Sequence, residues 1–224
     1  MSAKRRPNRR LPLTRERVLR AAIALADRGG FESLTMRRLA KELGVEAMSL
    51  YNHVANKDDL VDGMVDVVFG EIEVPSEGAD WKAIMRERGI STRDALSRHR
   101  WAVGLMESRS NPGPENLRVH NAVLGCLRDA GFSMEMTVHA SSVQDAYIYG
   151  FALQEKTLGW ETPDEFAAVA ERRVEQLQAV LADYPHLAEV VGGHVAKAGY
   201  DFATEFIFGL DLILEGLDRR LSSS

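Results

Sequence analysis

Between positions 35 and 57 this chain of 224 residues gathers side chains suited to recognition rather than to bond-making. After Gly44 and Val45, a short segment turns Leu50 and Val54 inward at helical spacing and leaves Ala47, Met48, Tyr51 and Asn52 on the other side. A methyl, a thioether, a phenol and a carboxamide offer apolar contact and hydrogen bonds to a flat polar edge, such as the one the major groove of DNA presents. Catalytic groupings are missing from the sequence. It has no phosphate-binding glycine loop and no nucleophile elbow, and His53, His99, His120, His139, His186 and His194 are scattered without metal-ligand spacing. Neither an enzyme nor a bound cofactor is expected.

The elements that must position those side chains are written in the same stretch. Thr35 is a natural N-cap, because its hydroxyl can accept an amide proton left free at a helix start. Met36, Leu39, Ala40 and Leu43 recur at three- and four-residue intervals, which is one apolar stripe of a short helix. Gly44 follows where a left-handed cap is needed, and Val45 can plug the corner. Two short helices joined this tightly form a helix-turn-helix, whose second helix enters the major groove. Charge points the same way. Residues 1–60 hold 13 Lys and Arg against 7 Asp and Glu, while the remainder holds 15 against 26, within a formal net charge of −5. A basic end attracts phosphates while an acidic body does not.

Apolar residues elsewhere recur mostly at helical spacing, so the fold is expected to be all-α. Residues 1–13 read as a basic disordered arm, 14–72 as a helix-turn-helix domain and 80–221 as a larger helical body, with the Pro-, Ser- and Gly-containing stretch 74–80 as the boundary. A first helix near 14–28 carries Leu19, Ala22, Ile23 and Ala26 inward, Gly29 and Gly30 stop it, and Asn56 caps a fourth helix. Body helices are expected from Asp80 to about 100, from Pro114 to near Asp129, from Ser133 to about 158, over 162–184, and from Asp201 to about 220, with 185–199 irregular. The 133–158 segment has one charge, Asp145, between Thr137 and Leu153. The last helix spreads Phe202, Phe206, Phe208, Leu210, Leu212, Ile213, Leu214 and Leu217 over more than one face. Segments without a polar face must be buried almost all round, which predicts a homodimer built as a four-helix bundle. The sole cysteine, Cys126, permits no internal disulfide and reads as a small buried hydrophobe. With no apolar run of transmembrane length and no signal-peptide stretch in residues 1–10, no membrane partner and a cytoplasmic location are expected.

The run from Leu34 to Leu60 resembles the DNA-binding domain of the tetracycline-repressor (TetR) family, most specifically through Leu50, Tyr51 and His53 followed by Asn56, Lys57 and Leu60. The likeness extends upstream over 14–30. It continues loosely to the C-terminus, where Phe206, Phe208, Gly209, Leu210, Leu212, Ile213, Leu214, Gly216 and Leu217 look like the last helix of the tetracycline-repressor subgroup. It implies base reading by Arg37, Ala47, Met48, Tyr51 and Asn52, and phosphate contacts from Thr35, Ser49, Tyr51, His53 and Lys57. Arg37 suits guanine, and Asn52 suits adenine. It further implies a repressor that binds an inverted-repeat operator of double-stranded DNA as a homodimer and is released by a small-molecule effector. Candidate lining residues for that effector are Trp101, Leu105, Met106, Arg109, Asn116, His120 and Val123, then Ser141, Gln144, Asp145, Tyr147, Ile148 and Phe151, with Asp145 as polar anchor. Tetracycline repressors hold a magnesium-bound drug through a histidine and a glutamate. Met106 and Gln154 fall at those places here, so a metal–tetracycline effector is not expected, and Glu155 is the nearest substitute ligand. A dimeric helical sensor or adaptor that has lost DNA binding, and an activator on the same fold, remain as alternatives.

Overall fold

The computed structural model describes residues 12–75, 80–106, 108–109, 111–158, 183–195 and 200–223. The predicted basic arm falls almost wholly outside the described residues, as do the predicted charged helix at 162–182 and part of the 74–80 boundary. Described helices are α1 (Arg15–Gly29), a 3-10 turn (Phe31–Ser33), α2 (Met36–Leu43), α3 (Ala47–Leu50), α4 (Lys57–Gly70), α5 (Trp81–Arg98), α6 (Pro114–Asp129), α7 (Met134–Leu158), α8 (Pro185–Val190) and α9 (Phe202–Leu221). Among the described residues there is no strand, so the fold is all-α as predicted. One expectation fails over 185–195, the described part of the stretch expected to be irregular: α8 runs straight into a π-helical turn at Val191–Val195, with Pro185 opening the first helical turn and the adjacent Gly192 and Gly193 not breaking it.

Contacts divide the chain into two compact units, Met1–Gly70 with Arg98–Leu117, and Glu71–Ser97 with Arg118–Ser224. In the first unit the helix boundaries are set locally. Thr14 and Thr35 hydroxyls accept the amides of Arg17 and Arg38, each at 3.2 Å, and Asn56 Oδ1 accepts that of Asp59 at 2.8 Å. Gly44 takes φ 66° at the corner between α2 and α3, a left-handed conformation in which a Cβ would be strained. Leu19, Ala22, Ile23, Leu39, Leu50, Leu60, Met64 and Val68 close the core.

Residues 98–117, which the sequence pattern places in the body, cluster by contact with this first unit. Long-range polar contacts hold them there. Asp27 on α1 accepts the Trp101 indole N–H at 2.7 Å and faces His99 Nδ1 at 2.9 Å, while Phe31 stacks on Trp101 with centroids 6.5 Å apart.

The second unit packs Trp81, Met85, Val123, Leu127, Phe132, Ile148, Phe151, Phe206, Leu210 and Leu214 into one core. Within one chain, helix α7 leaves Met134, Val138, Val143 and Leu153 exposed, apolar surface of the kind a partner chain would cover. On α9 the core side is Leu210 and Leu214, whereas Phe208 and Leu212 face outward at 64% and 50% exposure. Helix α9 lies close to its neighbours because Gly89 and Gly209 lack side chains. A Cβ on Gly209 would sit 2.2 Å from the Tyr147 hydroxyl, which donates to the Glu205 and Phe206 carbonyls at 3.0 Å.

Candidate nucleic-acid interface and ligand-binding residues

Helix α3 is a single α-helical turn. Tighter bonds continue it: the amides of Tyr51 and His53 reach the carbonyls of Met48 and Leu50, three residues back, at 3.2 and 2.9 Å. Leu50 and Val54 anchor this element in the core. Outward from it stand Met48 at 74% and Tyr51 at 43% exposure, together with an exposed Asn52 and half-buried Ala47 and Ser49. Arg37 on α2 is exposed as well. The sequence reading thus placed these residues on an accessible face. Thr35 is exposed but its hydroxyl serves as the α2 cap. His53 is half-buried, and its carbonyl accepts from Arg15 at 3.0 Å. Lys57 lies exposed at the start of α4, with its Nζ 5.4 Å from the centre of the Phe31 ring in a cation–π contact.

Arg15 fixes the start of α4. Its guanidinium donates to both carboxylate oxygens of Asp59, at 2.7 and 3.0 Å. That pairing holds the Asp59 carboxyl below its ordinary range, against the opposing effect of burial and with help from the Ala55 amide.

Sequence reasoning missed a second use of α4 carboxylates. Asp58, Asp62 and Asp66 recur every four residues and so share one face of the helix. Asp62 takes the Arg109 Nε, Asp58 lies 3.5 Å from the same guanidinium, and Asp66 Oδ1 accepts the amides of Glu115 and Asn116 at 3.0 Å, capping α6. The bond to Asp62 raises the Arg109 pKa. The four-residue spacing was visible in the sequence, but its partners, 47 or more residues away, were not.

The predicted ligand-lining residues divide between the units. In the first, Trp101 and Met106 are buried, Leu105 is half-buried, and Trp101 and Arg109 are engaged by Asp27 and by the α4 carboxylates. Asn116 donates its backbone amide to Asp66. In the second unit His120 and Ser141 are half-buried, and Val123, Ile148 and Phe151 belong to the core. Tyr147 is held by its bonds to α9, and burial raises its hydroxyl pKa. Asp145 pairs with Arg88 at 2.5 Å, and Gln144 is fully buried.

Glu155 gives both oxygens to Arg93, at 2.5 and 3.0 Å, and is therefore spoken for as a metal ligand. With Met106 buried and Gln154 exposed, these residues do not fit a magnesium–drug complex. A cavity of about 530 Å³ does open in the second unit, but between Trp81, Ile84, Asn121, Gly125, Cys126 and Asp129, with none of the predicted lining residues in its wall. Cys126 is half-buried there, and burial raises its thiol pKa.

A one-turn reading element held outward by a helix-turn-helix, on a chain with a separate helical core, defines a DNA-binding regulator. Residues 18–64 match the model of the tetR family of bacterial regulatory proteins, and residues 74–221 match that of the tetracyclin repressor-like C-terminal domain. An HTH-type transcriptional regulator of Saccharopolyspora erythraea is 34% identical over 206 residues, covering 92% of this chain and 84% of its own length. The HTH-type transcriptional repressor DrrR1 of Streptomyces coeruleorubidus is 35% identical over 96% of this chain and 81% of its own. Among solved structures, the Streptomyces coelicolor TetR family protein ActR in complex with actinorhodin superposes with a TM-score of 0.75, at 28% identity, over 94% of this chain and 99% of that one. The chain belongs to the TetR family of transcriptional regulators.

Proposed function

We propose that this protein is a transcriptional repressor that binds an inverted-repeat operator as a homodimer and leaves it when a small molecule enters the helical body. The observation that carries the DNA half is the outward display of Arg37, Met48, Tyr51 and Asn52 beside Lys57, on elements whose inner faces are fully packed. Side chains exposed on a rigid corner are pre-organised for base edges, and the flanking lysine supplies phosphate attraction. Helix α9 supports the dimer, because Phe208 and Leu212 form an outward apolar face beside a separate core face. Similarity to the transcriptional repressor DrrR1 supports a negative role, and similarity to ActR, solved in complex with actinorhodin, supports a small-molecule input.

The test is electrophoretic and footprinting titration of the full-length protein on the DNA upstream of its own gene. The reading requires a protected inverted repeat, with half-sites one helical turn or a multiple apart, and binding that weakens steeply with salt. Protection without two-fold symmetry, or binding no tighter than to unrelated DNA, would overturn it.

A further inference from the structure

Arg88, on α5, is only 1% exposed and heads the fully buried side chains by size. Its Nη2 donates to Asp145 on α7 at 2.5 Å, yet Nε and Nη1 are buried with no acceptor. Next to Asp145, Gln144 is fully buried too: its amide nitrogen donates to the Ala140 carbonyl at 3.0 Å, and its Oε1 accepts nothing. Buried polar groups nearly always find partners, and those left without one cost stability. An apolar side chain of similar volume would fill the Arg88 position without that cost. The pair is not sealed off, because the Asp145 side chain is 21% exposed while that of Arg88 is 2%. What is missing is an acceptor oxygen for Arg88 and a donor for Gln144.

We propose that Arg88 and Gln144 form the polar recognition edge of the effector site, and that this edge selects a ligand presenting an anionic oxygen, carboxylate or phenolate, and excludes an ammonium. This rests on the small-molecule reading given under Proposed function. Asp145 is then a positioning residue: it takes one edge of the guanidinium and aims the rest. A hydroxyl on the ligand would satisfy Gln144 Oε1. The alternative, Asp145 as direct anchor, makes the opposite choice, since a free carboxylate would favour a cation.

Three planar probes on one frame separate these cases: anthraquinone-2-carboxylate, unsubstituted anthraquinone and the 2-aminomethyl cation, each titrated into the full-length protein by tryptophan-fluorescence quenching. The carboxylate should bind at least about tenfold more tightly than the cation, as a bond to a charged donor in a dry site provides. That preference should vanish in the double variant Arg88→Met with Asp145→Leu, whose melting temperature should equal or exceed that of the parent protein. A preference for the cation, no preference among the three (absence of binding included), or a double variant that melts lower would each overturn the assignment. A carboxylate that binds as expected but leaves operator affinity unchanged would sink the ligand-released reading and leave the recognition edge standing. Operator release by some other compound, with no discrimination among these probes, would do the reverse.

Discussion

On the proposed function, Lys57 and Asn52, both exposed, take two different jobs at the reading head. Lys57 offers a charge beside the start of α4, so Lys57→Ala should weaken binding to all sequences alike and lower the salt slope by about one unit. Asn52 offers a paired donor and acceptor, so Asn52→Ala should change which base is preferred at one operator position. Selection from a randomised operator pool measures both, and equal loss without altered preference in the two variants would contradict the division. Asp59 makes a pH prediction. Its carboxyl is lowered in the folded state, chiefly by Arg15, so its contribution is complete above the ordinary value of 3.8 and is lost as pH falls through the lowered folded value. Both partners are partly exposed, which limits the effect to about 1 kcal/mol or less. Urea melts from about pH 5 down to about pH 2 should show Asp59→Asn converging with the parent protein at the acid end. At this scale the sequence was legible where chemistry is local, as with the caps Thr35 and Asn56 and the φ of Gly44. Asp145 was recognisable as a charge in need of a partner, but Arg88 was not recognisable as that partner, because 57 residues separate them.

Helix α9 shows what periodicity leaves undecided. The sequence reveals apolar residues on more than one face, but only the packed neighbours decide which face is core. Leu210 and Leu214 meet the second unit's interior, and Phe208 and Leu212 do not. Leu212→Asp should therefore give a folded monomer in sedimentation, whereas Leu210→Asp should abolish cooperative melting by burying an unpaired charge. Gly209→Ala tests the close approach of α7 and α9. Its methyl would displace the Tyr147 hydroxyl, and overpacking of this kind costs about 1–3 kcal/mol in a thermal melt. Helix α3 was legible as the second arm of a helix-turn-helix but not as so short. Its tail is set by bonds from Tyr51 and His53 to carbonyls three residues back, which no apolar spacing encodes.

For the whole molecule, charge and chain path matter most. The excess of basic residues before position 60 and of acidic ones after it means that the overall negative charge does not oppose DNA approach by the basic end. The path is less obvious. The first unit is not one continuous stretch, since residues 98–117 return to it with Trp101 against Asp27 and Phe31, Arg109 on Asp62, and the amides of Glu115 and Asn116 on Asp66. Anyone grafting this reading head onto a different sensor therefore faces two splice points rather than one. A chimera cut once, after Gly70, would carry Asp27 and Phe31 without their indole and three α4 carboxylates without their counterparts. Such a hybrid should melt below a hybrid that also imports 98–117, and the difference in their midpoints by circular dichroism measures how much of the reading head's stability is supplied by that distant stretch of chain.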